Sequence, residues 1–114
     1  MAKSKRTIWC EFSKKEREHI YKRDKQRCIY CGSTHYLGIA HAYLPRSQGG
    51  VGNRLNGVLL CQRCHNALDS YGANDMYDVV KNTVDSYLTR LYGEVDLSKL
   101  KYDKFRYMEE SYES

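Results

Sequence analysis

The chain has 114 residues, a length that suits one domain, and a net charge of +5. Hydrophobic residues make up 41% of it and eleven of them are tyrosines, so the aliphatic core is thin and predicts a metal or disulfide staple. No secretory signal opens the chain and no apolar run approaches the roughly 20 residues of a membrane span, so we expect a cytoplasmic protein with no membrane partner.

The positive charge lies at the start of the chain. The first 30 residues carry ten Lys or Arg and four Asp or Glu, a net of +6, whereas residues 70–114 carry six and nine, a net of −3. A basic front suits a polyanion such as nucleic acid, although many soluble domains have a basic terminus for solubility alone. Residues 1–12 are predicted to form a basic arm that is disordered or loosely held over residues 1–8.

The rest of the chain is predicted as alternating short elements. Ser13 and Glu16 have the spacing of a capping box, which begins a helix. In chain order the expected elements are a helix over residues 13–25, strands over 36–43 and 58–60, and helices over 61–70 and 75–92.

The last predicted helix carries an apolar stripe, which is typical of a helix that packs on a core. Residues 94–114 are expected to form a docked extended segment or short helix followed by a frayed acidic end. The stripe consists of Met76, Tyr77, Val80, Val84, Tyr87, Leu88 and Leu91.

Four of the five cysteines form two tight pairs. Cys28 and Cys31 leave a two-residue gap, as do Cys61 and Cys64, which is awkward for a disulfide and natural for a tetrahedral metal. The 29 residues between the pairs are enough for a β-hairpin. The spacing therefore predicts a structural four-sulfur zinc site with no open position, and iron–sulfur binding is the main alternative. The fifth, Cys10, is expected to be a small buried hydrophobe.

The residues between and after these pairs resemble the HNH endonucleases, in particular small phage-borne members with a zinc knuckle. The resemblance rests on the run from Ala40 to Gly50 and on the run from Asn56 to His65, and it covers roughly residues 13–70. It implies a small α+β fold, in which a ββα-metal motif is stapled by structural zinc and flanked by an N-terminal and a C-terminal helix. The implied organisation is a basic arm over residues 1–12, a zinc-knuckle HNH domain over 13–72, and a C-terminal helix and docked tail of the same domain over 73–114.

The resemblance also implies a phage-encoded, metal-dependent endonuclease that hydrolyses double-stranded DNA. His41 would be the general base, because neutral imidazole can activate water near pH 7. His65 takes the position of the family's final metal-binding histidine, and Asp69 follows on the same helix face, so the two could hold Mg²⁺ or Mn²⁺. Asn56 would bond the loop and fix the orientation of the base, and Arg46 would lie near the phosphate.

Two positions depart from the family pattern. Many members carry an acidic residue or a histidine directly before the base as a metal ligand, where this chain has Ala40, and many have leucine at the position of Gly57. Ala40 keeps a second function open, a catalytically degenerate HNH scaffold that binds DNA or a host protein such as a defence nuclease. A third function, a zinc ribbon in transcription or RNA binding, would leave His41, Asn56 and His65 in register by chance.

Overall fold

The computed structural model describes residues 4–102. The two strands pair antiparallel, with Leu37 opposite Cys61 and His41 opposite Gly57. No helix within the described residues is both long and apolar enough to cross a membrane. The elements are the helices α1 (Lys5–Cys10), α2 (Lys14–Arg23), α3 (Gln62–Asp69) and α4 (Tyr77–Tyr92), the strands β1 (Leu37–His41) and β2 (Gly57–Cys61), and single 3₁₀ turns at Arg46–Gln48 and Leu97–Leu100.

The α+β fold predicted from the sequence is confirmed. Strands β1 and β2 form a two-stranded sheet, and α3 follows β2 directly and packs on both strands and on α4. This order of two antiparallel strands and a crossing helix is the ββα arrangement that the resemblance implied. The core lies between the sheet and the helices α3 and α4.

Helix α1 corrects the expectation of a loosely held arm. Residues 5–8 are helical, because the Ser4 side chain caps the Thr7 amide at 3.1 Å and the helix is docked on the 3₁₀ turn. The guanidinium of Arg6 donates to the carbonyls of Arg46 and Ser47 at 3.3 and 3.2 Å. A tertiary contact therefore stabilises a six-residue helix that has no amphipathic signature of its own.

The capping box at the start of α2 is half confirmed. The Ser13 hydroxyl accepts from the Glu16 amide at 3.2 Å, so the helix begins where the spacing predicts. The Glu16 carboxylate pairs instead with Arg54 at 2.8 Å, across to the turn before β2. That ion pair ties the first turn of α2 to the hairpin.

A buried ion pair joins the other end of α2 to the sheet. Arg23 donates two hydrogen bonds to Asp24, at 2.7 and 3.0 Å, and one to the Gly57 carbonyl at 2.7 Å. Asp24 also accepts from the Leu59 amide at 2.9 Å and from the Tyr87 hydroxyl at 2.5 Å. Burial and this bond raise the pKa of Tyr87 to about 12, so its hydroxyl stays a donor. The pair therefore connects α2, β2 and α4 through satisfied polar groups.

The apolar stripe of α4 packs in the core except at its last member. Val80, Val84 and Leu88 are fully buried, whereas Leu91 is 46% exposed, so its placement in the core was wrong. The residue four positions after Leu88 is Tyr92, which packs on the core in its place.

The segment after α4 is docked as expected over its described part. Leu100 is buried, and its carbonyl accepts from the Val51 amide at 2.8 Å. The backbone amide of Tyr102 donates to the Gly49 carbonyl at 2.7 Å. The expected acidic end falls on residues 103–114, outside the described residues.

Candidate active site and structural metal centre

The four paired cysteines converge on one point. Their sulfur atoms all lie within 4.8 Å of one another, and the Sγ atoms of Cys31 and Cys61 are 3.5 Å apart. A zinc tetrahedron with bonds of about 2.3 Å separates its sulfurs by about 3.8 Å, so the cluster fits such an ion. None of the cysteines is in a disulfide, and Cys28, Cys61 and Cys64 are buried. The four cysteines predicted as ligands are thus positioned to bind a metal.

Backbone amides favour the thiolate form of Cys28, whereas burial and the neighbouring cysteines raise the pKa of Cys64. Burial acts to raise the pKa of Cys28, but amides of the Cys28–Cys31 turn and of Cys61 lower it to about 7. The Cys31 amide donates to the Cys28 sulfur at 3.5 Å. A thiolate is the form that binds metal, so the turn prepares Cys28 as a ligand.

The candidate base, His41, ends β1 and is held by the N-terminal segment. Its Nε2 lies 2.7 Å from the Cys10 carbonyl oxygen, and its ring lies 4.8 Å from that of Phe12, centroid to centroid. A carbonyl only accepts, so Nε2 carries a proton and Nδ1 of the neutral ring remains a proton acceptor. The Cys10 carbonyl was missed at the sequence level, because a backbone group leaves no residue signal.

The surroundings of His41 keep it neutral near pH 7. Burial lowers its pKa below the ordinary value of 6.5, and the hydrogen bond to Cys10 opposes that shift. The charges of Arg46 and His65 lower the pKa further, and Asp69 raises it. A half-buried neutral imidazole with one free nitrogen can accept a proton from water.

Asn56 is fully buried and closes the loop that follows β1. Its side chain accepts from the Leu44 amide at 3.0 Å and donates to the carbonyls of Leu44 and Val51 at 3.0 and 3.1 Å. Its backbone carbonyl accepts from the Ala42 amide at 2.8 Å. Asn56 therefore fixes the backbone directly after His41, which is the kind of indirect contact that the resemblance implied.

Gly57 is explained by the packing of Phe12. A Cβ at position 57 would collide with the Phe12 ring and would lie 2.8 Å from Cδ1 of Ile20. Phe12 occupies the space that a larger side chain would need and also contacts His41. The departure from leucine at this position is thus compensated by a residue on the segment between α1 and α2.

The candidate metal ligands face each other on α3. His65 Nε2 lies 3.2 Å from Asp69 Oδ2, and both side chains reach solvent. The His65 ring passes over Gly38 of β1, where an added Cβ would lie 3.7 Å from Nδ1. Ala40, two residues further along the same strand face, is fully buried in the core.

This pair offers a divalent cation two protein ligands. Between residues 4 and 102, the four cysteines are the group of three or more potential ligand atoms that comes within 4.8 Å, and His41, His65 and Asp69 form no such group. The carboxylate suits Mg²⁺ or Mn²⁺, which keep several water or phosphate ligands, and the imidazole adds one nitrogen ligand. The geometry can thus hold a cation only in an open site.

Arg46 lies at the edge of the same region. Its guanidinium is half exposed and 3.6 Å from the Glu11 carboxylate. Arg46 and His41 line a groove of about 500 Å³ together with Arg17. The structure therefore brings the candidate base and a half-exposed guanidinium to one groove.

Comparisons with known proteins agree with this arrangement. A family model described as HNH endonuclease matches residues 28–70. The chain is also similar to a solved structure, the type IV phosphorothioation-dependent restriction endonuclease ScoMcrA, at 24% identity and a TM-score of 0.53 over 71% of this chain. It spans 17% of that protein's length, so the likeness concerns the fold of one part of it. No curated protein matches the chain.

Proposed function

Because residues 28–70 form an HNH domain, we propose that the protein is a metal-dependent endonuclease that hydrolyses phosphodiester bonds of double-stranded DNA. The observation that carries the proposal is the setting of His41, whose Nε2 is fixed on the Cys10 carbonyl at 2.7 Å. His41 lines the same cavity as Asp69. A base with a lowered pKa beside a potential metal ligand is the combination that phosphodiester hydrolysis requires.

In the proposed reaction, His41, Arg46 and the pair of His65 and Asp69 each have a separate role. His41 Nδ1 takes the proton of a water molecule while the water oxygen bonds to phosphorus and the 3′-oxygen leaves. A Mg²⁺ or Mn²⁺ ion, when held by His65 and Asp69, supplies Lewis acidity to the phosphate and the leaving oxygen. Arg46 exchanges Glu11 for a phosphate oxygen, because a guanidinium binds phosphate in a two-pronged geometry.

The metal at the four cysteines is proposed to be zinc, with a structural role. Four sulfur ligands leave no open coordination position, so this ion stabilises the fold and takes no part in hydrolysis. A zinc–thiolate centre is typical of a reducing compartment, which supports a cytoplasmic protein, in the host cell if the chain is phage-encoded.

A second function is favoured by one observation, the burial of Ala40 in the core. The site then offers two protein ligands, and a scaffold of this kind could bind DNA or a host protein without cutting. The two functions differ in whether the protein takes up a second divalent ion beyond its structural zinc.

Plasmid cleavage in the presence of Mg²⁺, Mn²⁺ and other divalent ions tests the proposal. We expect the parent to nick or cut the plasmid and His41→Ala to lose on the order of 10²- to 10⁴-fold in rate. Both should hold one zinc per chain. The matched control is His35→Ala, since His35 is exposed and lies in the loop after the first cysteine pair. Equal cleavage by His41→Ala and the parent would refute the base assignment, and an intact plasmid with every ion would favour the binding module.

A further inference from the structure

His41 lies on the boundary between two cavities. The groove of about 500 Å³ on one side is lined by Arg17 and Arg46. A smaller cavity of about 170 Å³ on the other side is lined by Tyr71 and Lys81. A DNA strand is continuous, so a phosphate held at His41 has a nucleotide on each side of it. The smaller cavity is thus a candidate site for one of these nucleotides.

Tyr71 offers an aromatic face at the mouth of that cavity. The residue is 58% exposed and has a positive φ of 52°, a conformation rare for residues with a side chain. Its hydroxyl lies 3.4 Å from the hydroxyl of Ser47, which follows Arg46 in the 3₁₀ turn. An exposed ring held beside a reacting centre, at the cost of an unfavourable backbone conformation, is a candidate for substrate contact.

The opposite wall of the cavity is polar and well ordered. Lys81 donates to the Ala42 carbonyl at 2.7 Å and to the Asp85 carboxylate at 3.1 Å, so its ammonium group is fixed beside the residue that follows His41. A volume of 170 Å³ corresponds to about five or six water molecules at liquid density. The space suits one planar ring or one sugar rather than a whole nucleotide.

We propose that this cavity takes the sugar next to the reacting phosphate and that the ring of Tyr71, at its mouth, stacks on the base of that nucleotide, flipped out of the duplex. The inference rests on the proposed nuclease function and extends it to α4 and to the turn after α3, which lie outside the matched residues 28–70. Once a base has left the duplex its π-face is accessible whatever its identity, so stacking on Tyr71 contributes affinity and position without sequence preference.

The chain provides a matched control for Tyr71. Tyr36 is also exposed, at 86%, and also has a positive φ, of 53°. It lies beside Cys31 and Gln62 and does not line the cavity that contains His41. The two tyrosines therefore share exposure and backbone conformation and differ in their position relative to the candidate base.

The first test is the affinity for a short fluorescein-labelled DNA duplex, measured by anisotropy with no Mg²⁺ or Mn²⁺ added. We expect Tyr71→Ala to bind about tenfold more weakly than the parent, and Tyr71→Phe and Tyr36→Ala to bind within about twofold of it. Melting temperatures establish that the variants fold. Parent-like affinity in Tyr71→Ala, or weakening in Tyr36→Ala alone, would overturn the proposal.

The second test is a direct contact. A duplex with 5-iodouracil in place of thymine is irradiated with the parent protein, and mass spectrometry locates the linked residue. We expect the link at Tyr71 and none at Tyr36; the reverse pattern would overturn the subsite even if affinity changed.

The two proposals fail separately. A protein that binds DNA through Tyr71 and cuts no plasmid contradicts the nuclease and leaves the subsite standing. A protein that cuts while Tyr71→Ala matches the parent in affinity and in KM contradicts the subsite alone. Absence of any DNA binding contradicts both.

Discussion

The two ends of helix α3 are built for opposite purposes. At its start, Cys61 and Cys64 join two further cysteines in a cluster whose sulfurs lie within 4.8 Å of one another, and three of the four are buried. Further along the helix, His65 Nε2 and Asp69 Oδ2 lie 3.2 Å apart, and both side chains reach solvent. A closed set of four ligands satisfies a metal completely, whereas an open pair leaves positions for water and phosphate.

The proposed roles of these residues separate stability from chemistry along the eight residues of one helix. At the cysteine end, the turn from Cys28 to Cys31, which follows α2, meets the start of α3 at the four-cysteine cluster. The same turn is tied to the sheet, because the Ile29 amide donates to the Leu59 carbonyl of β2 at 3.0 Å. The histidine end packs on the core through Ala67 and Leu68, whereas the side chains of His65 and Asp69 reach solvent. Substitutions at the two ends should therefore separate cleanly into effects on folding and effects on activity.

The largest effect is expected at the closed end. Cys64→Ala removes one of four ligands, and structural zinc contributes roughly 10 kcal/mol or more in such sites, comparable to the whole stability of a domain. We expect the variant to lose zinc and to be largely unfolded by circular dichroism. The control is Cys10→Ala, a buried cysteine outside the cluster, which should keep its zinc and cost about 1 kcal/mol. A folded, zinc-free Cys64→Ala protein would contradict the stapling role.

Substitution at the open end should affect activity and spare the fold. Asp69→Asn removes a charged ligand that is largely exposed, so the melting temperature should change little. We expect cleavage to fall about a hundredfold at limiting Mg²⁺ and to recover in part at higher concentration, because the substitution weakens metal affinity. Asp75→Asn, an exposed acid beyond α3, serves as the control. Loss of zinc from Asp69→Asn would show that the two ends are coupled.

Much of the closed end follows from the sequence, because its signals are local. The cysteine spacing, the Ser13 cap and the stops at Gly72 and Gly93 each depend on a few neighbouring residues, and the elements lie where these signals predict. The resemblance to HNH endonucleases was also recognisable, since the motif couples spaced histidines to the cysteine pairs, and a model of that family matches residues 28–70.

The surroundings of the open end could not be predicted in the same way. The Cys10 carbonyl that holds His41 is a backbone group, and it reaches the ring because α1 is docked on distant loops, by Arg6 on the carbonyl of Arg46 and by the Trp9 carbonyl, which accepts from the Gly52 amide. The Tyr71 cavity requires the packing angle of α4, which no local pattern encodes. The roles of the site residues themselves stay predictions until the cleavage assays are made.

The pH dependence of cleavage tests this comparison, because the protonation of His41 should change with pH whereas the metal should stay bound to the four cysteines. Burial lowers the pKa of His41 below 6.5, and the base works only when neutral. Cleavage at saturating metal should therefore rise with pH and reach its plateau by about pH 7. Replacing Phe12 by Leu exposes the ring and should move the midpoint upward, toward 6.5.

The same pKa has a consequence for stability. A histidine whose pKa is lowered by folding stabilises the fold above its unfolded pKa, and that contribution is lost as the pH falls below about 6.5. His41→Gln should therefore flatten the fall of the melting temperature below pH 6.5. An unchanged profile would mean that burial does not suppress protonation of His41.

The smallest effect is expected from the ion pair at the rim of the open end. Glu11 and Arg46 are exposed and 3.6 Å apart, and such pairs contribute at most about 1 kcal/mol, so Glu11→Gln should leave the melting temperature nearly unchanged. The substitution removes a negative charge from the groove beside His41 and releases the guanidinium, so DNA affinity at low salt should rise about two- to threefold. High salt should erase the gain, because it screens exposed charges. If affinity instead falls, Glu11 holds Arg46 in its DNA-binding orientation, and the open end is more preorganised than its ligand pair suggests.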